Sequence, residues 1–285
     1  MQRIALTLAY DGARFDGWQT QPSGRTVQDA LEAALAALAD HPVRVACAGR
    51  TDAGVHACAQ VVHFDTPAQR PLQAWVRGVN ARLPDAVAVL DARVAPADFH
   101  ARYSALRRHY AYLLHCAPVA HPLLAGRVGW EFRPIDVAAM RAGAARLLGE
   151  HDFSAFRAAQ CQARTPVRTL ERLAVTPLAD LVVFEFSANA FLHHMVRNIV
   201  GALVAVGVGR RAPEWIGELL ASRDRRRGAA TFTGSGLYLA GVDYDGDIGM
   251  HVGRAAGLGG LSALVGFPAS SGGPSPGSCR AGDSP

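Results

Sequence analysis

The sequence predicts an α+β fold in which both halves of the chain mix strands with helices. Apolar and polar residues alternate in short runs such as residues 4–10, as they do in half-buried strands. Leu31, Leu35 and Leu38 recur at helical spacing. The elements follow a roughly βαββ order in each half, which favours antiparallel pairing. The 285 residues suffice for one large domain or two ordinary ones.

The first half begins with a strand that ends at the turn formed by Asp11 and Gly12. Thr26 and Asp29 resemble a capping box, so we expect a helix to begin directly after Thr26. The strands predicted in this half are residues 4–10, 43–48, 60–64 and 87–94, and the helices are residues 27–39 and 71–82.

In the second half, Asp136 is expected to cap a helix that carries Met140 and Ala144, with Gly149 as its stop. Pro213 suits the first turn of a later helix, which continues to Leu220. A longer helix is predicted over residues 190–206. The predicted strands are residues 109–115, 167–175, 181–188 and 237–242.

The composition places few limits on function. The net charge of +5 favours a polyanionic partner, but only weakly, because a basic surface can simply be solvated. The five cysteines include no CxxC pair, which argues for reduced thiols and against a disulfide framework or a zinc site. The first residues lack the apolar core of a signal peptide, and no apolar stretch is long enough for a membrane span. We therefore expect a cytoplasmic protein with no membrane contact.

Residues 48–57, AGRTDAGVHA, form the most informative segment. A polar turn with Gly on both sides lies between two apolar strands, and Gly allows close approach of the backbone. Arg50 and Asp52 are two residues apart and would point in similar directions in an extended loop. Taken alone, this pattern fits a carboxylate beside a cation in a cleft, or simply a turn with a surface ion pair.

Eight blocks in the same order resemble the tRNA pseudouridine synthase A family. The longest runs are YDGARFDGWQTQPSGRTVQDALEAAL at residues 10–35 and NAFLHHMVRNIVGALVAVG at residues 189–207. Together the eight blocks cover the chain from about residue 4 to residue 245. The remaining blocks are GRTDAGVHA, QVVHF, GVNARLP, FHARYSA, DFSAFRAAQCQARTPVR and GLYL.

The resemblance implies two mixed α/β halves that share an extended antiparallel sheet, with the active cleft between them. The expected division is residues 1–104 and 105–247, followed by a disordered Gly/Ser/Pro-rich tail at residues 248–285. The implied reaction converts uridine to pseudouridine at positions 38, 39 and 40 in the anticodon stem-loop of tRNA. It needs no cofactor, and the implied assembly is a homodimer that binds tRNA across both subunits.

The resemblance also implies roles for single residues. Asp52 falls on the catalytic aspartate and Arg197 on the arginine that pairs with it. Tyr110 would stack on the target base and assist proton transfer, and Leu237 would pack on the other face of the uracil. Arg50 would fill the gap left when the uridine flips out of its stem. Whether Asp52 attacks C6, attacks C1′ or removes the 2′ proton stays open.

Other charged residues carry a weaker signal. Arg107 and Arg108 are expected to bind the tRNA backbone, and solvated side chains are an equally good explanation for them and for the run of arginines after residue 222. No metal site is expected. The histidines at positions 56, 63, 193 and 194 have no metal-ligand spacing, so we interpret them as structural or RNA-contacting.

Two rival functions and one departure from the family pattern remain. A tRNA-binding protein without catalysis would not need the set of Asp52, Tyr110 and Arg197. A nucleoside glycosidase would usually need a second acid, for which Asp65 is the candidate. Residues 231–235, TFTGS, depart from the Ala or Pro that the family carries before GLYL. This departure bears on Leu237 and not on Asp52.

Overall fold

The computed structural model describes residues 1–245, and the predicted disordered tail lies outside the described residues. Within that part, no helix is long and apolar enough to cross a membrane. The helices are α1 (Val27–Ala39), α2 (Leu72–Asn80), α3 (Val137–Ala145), α4 (Met195–Gly207) and α5 (Trp215–Ser222). The strands are β1 (Gln2–Tyr10), β2 (Ala46–Cys47), β3 (His56–Thr66), β4 (Val87–Ala95), β5 (Ala105–Cys116), β6 (Gly129–Glu131), β7 (Gly149–Asp152), β8 (Val167–Leu178), β9 (Leu181–Ala188) and β10 (Leu237–Tyr244).

One ten-stranded sheet joins both halves, which confirms the α+β class. Its main path runs β4-β1-β3-β10-β5-β9-β8-β7, with β2 paired to β3 and β6 paired to β5. The expected antiparallel sheet is mixed, because β10 runs parallel to β3 and β6 runs parallel to β5. His56, at the start of β3, contacts the carbonyl of Ser235 just before β10, and the two strands run in the same direction from this contact.

The helices cover one face of this sheet in two separate layers. The first hydrophobic cluster packs α1 and α2 on the strands of the first half, around Phe64 and Trp75. The second packs α3, α4 and α5 on the strands of the second half, around Phe184. Strand β10 belongs to both, because Leu239 lies in the first cluster and Leu237 in the second. The cleft lies where these two layers part. The division at residue 104 stays a prediction.

The bounds of helices and strands were predicted best where they depend on contacts between residues close in sequence. Helix α1 spans the predicted residues, and the Oγ1 of Thr26 accepts the backbone N–H of Asp29 at 3.2 Å, as a capping box requires. The helix predicted from residue 190 begins only at Met195, because His194 takes a left-handed φ of 61°. Gly149 opens β7 and is not a helix stop. Strand β2 keeps only two of the six residues predicted for it.

Gly201 in α4 allows the closest approach between a helix and the chain segment before β10. A Cβ built on Gly201 would overlap the carbonyl oxygen of Ala230. The helical Gly217 in α5 has only ordinary contacts, 3.5 Å or more from the side chain of Arg146. The same substitution should therefore have opposite effects at these two positions.

We expect Gly201→Ala to lower the free energy of unfolding by about 1–3 kcal/mol, because the added methyl group overpacks a buried contact. We expect Gly217→Ala to raise it by about 0.5–1 kcal/mol, because Ala loses less backbone entropy in a helix. Urea unfolding of both variants measures these changes. A Gly201→Ala variant as stable as the wild type would show that the segment at Ala230 does not pack on α4 as described.

Candidate active site

The loop that carries Asp52 is held by buried polar contacts beneath it. The hydroxyl of Tyr10 bonds to the Oγ1 of Thr51 at 2.8 Å. The side-chain amide of Gln60 donates to the carbonyl of Gly49 at 2.6 Å and to the hydroxyl of Tyr10 at 3.3 Å. These partners come from β1 and β3, which are hydrogen-bonded neighbours. The loop between β2 and β3 is therefore fixed by the sheet below it.

Arg197 lies against Asp52 from the other half of the protein. Its Nη1 donates to the Oδ2 of Asp52 at 2.9 Å, and its Nε donates to the carbonyl of Phe232 at 2.8 Å. Both charged side chains are largely buried, with 16% of Arg197 and 20% of Asp52 exposed. Arg197 is in the first turn of α4, so the helix start sets its direction. Arg197 therefore does not face solvent.

Two histidines also surround the carboxylate, and sequence reasoning missed both contacts. The Nε2 of His193 is 3.2 Å from the Oδ1 of Asp52, and the Nε2 of His194 is 3.4 Å from its Oδ2. Burial lowers the pKa of His194, and the nearby Asp52 opposes this effect. The adjacent pair in the AFLHHMVRN block was the available signal, but without metal-ligand spacing it predicted no contact with Asp52.

The same three side chains could hold a metal ion, since one ligand atom from each lies within 4.8 Å of the others. However, the Oδ2 of Asp52 already accepts a hydrogen bond from Arg197. A dication at this place would lie beside a guanidinium group, and like charges in a partly buried site repel strongly. The expectation of no metal site stays a prediction.

Tyr110 and Leu237 lie on adjacent strands beside the carboxylate. Tyr110, on β5, is paired with Leu239 of β10, two residues beyond Leu237. The ring of Phe191 meets the ring of Tyr110 edge-on at 5.1 Å. Burial raises the pKa of the Tyr110 hydroxyl well above its usual value, and the charge of Asp52 raises it further. Tyr110 is therefore protonated at neutral pH.

A cavity of about 1030 Å³ contains these groups and opens between the two helical layers. Asp52, Arg197, Tyr110 and Leu237 all line it, as do Arg50 and Arg108. Of the predicted site residues, only Arg107 lies outside the lining. Arg50 is exposed, and its guanidinium forms no ion pair within residues 1–245. Its predicted role requires this freedom.

Arg107 and Arg108 have different surroundings although they are adjacent. Arg107 is exposed and pairs with Glu171. Arg108 donates to the backbone carbonyls of four residues that come from three parts of the chain. These acceptors are Ala48, Arg102, Ala105 and Asn189. Arg108 therefore ties the start of the Asp52 loop to the segment at residues 102–105 and to Asn189. The tRNA contacts predicted for these two arginines stay a prediction.

The atypical segment at residues 231–235 packs directly on the loop that carries Asp52. A Cβ on Gly234 would be 2.8 Å from the carbonyl oxygen of Ala53, so this close approach requires Gly. The backbone of Phe232 engages Arg197 through both its N–H and its carbonyl. Leu237, which follows, donates its N–H to the carbonyl of Gly234 and is 5% exposed. The segment thus supports Arg197 and Leu237.

Comparison with known proteins identifies the family of this chain. A family model described as tRNA pseudouridine synthase matches residues 7–104 and 144–245. The chain therefore belongs to the tRNA pseudouridine synthase family, and it is an enzyme of the isomerase class. It is 57% identical over 251 residues to the tRNA pseudouridine synthase A of Bordetella parapertussis, covering 87% of this chain and 93% of the relative. It is 58% identical over 242 residues to the corresponding protein of Aromatoleum aromaticum, covering 85% and 92%.

Because Arg107 and Arg108 have different surroundings, we expect the same substitution to change the free energy of unfolding by different amounts. Arg108→Lys should lower the free energy of unfolding by about 1–3 kcal/mol, because one ammonium group cannot satisfy all four carbonyls. Arg107→Lys should change it by no more than about 0.5 kcal/mol, because the ion pair with Glu171 is exposed to solvent. Urea unfolding measures both values. Equal costs would contradict the structural role assigned to Arg108.

Proposed function

We propose that this protein converts uridine to pseudouridine in the anticodon stem-loop of tRNA, at positions 38, 39 and 40. The ion pair of Asp52 and Arg197 carries the proposal. It joins the two halves at the floor of a cavity that also presents an aromatic ring and an apolar side chain, Tyr110 and Leu237. Such a site offers one carboxylate for chemistry and two surfaces that can hold a detached planar base.

The reaction breaks the bond between C1′ and N1 and joins C1′ to C5 of the same uracil. The proton on C5 is lost and N1 gains one, so atoms and charge balance without any redox step. Asp52 is able to act as a nucleophile at C6 or C1′, or as a base toward the 2′ proton. Each route requires a carboxylate held in a fixed position, and the 2.9 Å hydrogen bond from Arg197 to its Oδ2 provides that.

Tyr110 acts first through its position beside the base. Its hydroxyl starts protonated, so it takes the C5 proton only while it gives its own proton to a base, and the carboxylate of Asp52 is the base near it. Leu237 limits the space on the opposite side of the uracil. Together they keep the detached base in the cavity until C5 faces C1′, which favours recombination over escape.

Access to the bond requires the uridine to leave its helical stack. Extrusion costs a few kcal/mol, and a side chain that enters the gap offsets part of that cost. Arg50 is two residues from Asp52, exposed and without an ion pair in the described part of the chain. We therefore assign it this role. A homodimer in the cytoplasm, binding tRNA across both subunits, remains the expectation from the family resemblance.

The positions of the acidic residues give little support to the rival function, a nucleoside glycosidase. Asp65 forms an ion pair with Arg3 at 2.7 Å and does not line the cavity. Asp16 does line the cavity, but it pairs with Arg25 at 3.2 Å. Release of free uracil would nevertheless be the direct sign of that activity, so it belongs in the test.

The test is tritium release from tRNA transcript labelled at C5 of uridine, because recombination through C5 must displace that hydrogen. We expect release by the wild type and a loss of about 10²-fold or more for Asp52→Asn, which keeps the shape of the side chain but removes its charge. Asp65→Asn is the matched control, since it also removes an aspartate paired with an arginine, and it should keep its activity.

Each outcome assigns one function. Label release by the wild type with Asp52→Asn bound to tRNA but inactive supports both the reaction and the role of Asp52. A wild type that binds stem-loops but releases no label would establish the binding-only function instead. Free uracil among the products would establish the glycosidase.

A further inference from the structure

An exposed aromatic side chain lies at the rim of the same cavity, on a rigid turn that the proposed mechanism does not use. The Nδ1 of His100 accepts the backbone N–H groups of Arg102 and Tyr103 at 3.1 and 3.3 Å. The Oγ of Ser104 accepts the N–H of His100 at 2.9 Å. Below the turn, the hydroxyl of Tyr244 donates to the carbonyl of Ala101 at 2.7 Å. The turn therefore has little freedom to bury its exposed side chains.

Tyr103 is the large side chain that this turn presents. It is 77% exposed, although an aromatic ring normally buries most of its surface. The ring of His100 supports it at 4.3 Å with an angle of 36° between the planes. The guanidinium of Arg102 lies 5.8 Å from the centre of the Tyr103 ring. A supported aromatic ring beside a cation is the combination that binds single-stranded nucleic acid, through base stacking and phosphate contact.

The cation beside this ring is available for a ligand. Arg102 is exposed and forms no ion pair within residues 1–245. The described part of the chain contains a similar pair, Phe132 with Arg133 at 5.2 Å, but there Arg133 is bound to Glu131 through two hydrogen bonds. That pair also does not line the cavity, whereas both Arg102 and Tyr103 do.

We propose that Tyr103 is a stacking platform for a second, unpaired base of the RNA strand, near the uridine that enters the cavity, and that Arg102 contacts an adjoining phosphate. The proposal rests on the proposed function, since it deepens the substrate contacts of that site. A platform at the rim restrains the neighbouring nucleotide while the target base is extruded. It thereby favours loop or stem-end uridines, which have an unpaired neighbour, over uridines inside a long duplex.

The test is a binding cycle with stem-loop RNAs in which single nucleotides around the target uridine are made abasic in turn. Stacking on an aromatic side chain predicts one position at which the lost base weakens wild-type binding about five-fold or more. Tyr103→Ala should weaken binding of the intact RNA by a similar factor. RNA binding by this variant should not weaken further when the base at that position is removed. Tyr103→Phe should bind as the wild type does. Phe132→Ala is the matched control and should leave RNA binding unchanged.

The outcomes separate this proposal from the proposed function, because tritium release is measured on the same proteins. If wild type releases label but Tyr103→Ala binds intact RNA as tightly as wild type, the platform is wrong and the function stands. The same follows if the effects of base loss and of Tyr103→Ala on the binding free energy are additive at every position. If the cycle shows coupling at one position but wild type releases no label, the platform stands and the catalytic function is wrong. A wild type that binds no stem-loop RNA overturns both.

Discussion

The site depends on the insertion of the last described strand, β10, between the two halves of the sheet. Strand β10 pairs with β3 on one side and with β5 on the other. These pairings bring three distant segments together, because Asp52 precedes β3, Tyr110 lies on β5 and Leu237 opens β10. No segment of the first half could form this cavity alone. Correct pairing of β10 is therefore the constraint on which the geometry of the site rests.

Around that strand, charged or aromatic side chains hold the loops mainly by donating hydrogen bonds to their backbone carbonyls. Arg197 donates to Phe232, Arg108 to four carbonyls, and Tyr112 to Thr233. Loops have few hydrogen bonds of their own, so a buried carbonyl without a partner would cost free energy. Side chains from other elements donate to these carbonyls and make the irregular segments rigid. This rigidity keeps the carboxylate of Asp52 in a fixed position.

Local signals in the sequence predicted more of the fold than of the site. The capping box at Thr26 fixed the bounds of α1, because the contacts that define them lie within one helical turn. The late start of α4 was not predictable, since residues 190–194 line the cavity and two of them, His193 and His194, contact the distant Asp52. For the same reason the contacts of His193 and His194 with Asp52 were missed. The parallel pairing of β3 and β10 joins segments about 180 residues apart, beyond any local pattern.

The balance of charge in the cavity is consistent with a polyanionic substrate. Its two acidic residues, Asp16 and Asp52, are both paired with arginines, whereas Arg50 and Arg102 form no ion pair in the described part of the chain. Asp52 also lies beside the first turn of α4, where the helix dipole adds further positive potential. In the free enzyme this excess leaves unpaired cations at the cavity. Phosphate groups of a bound polyanion would offset the repulsion among these cations, so the unpaired arginines favour binding of such a substrate at this cavity.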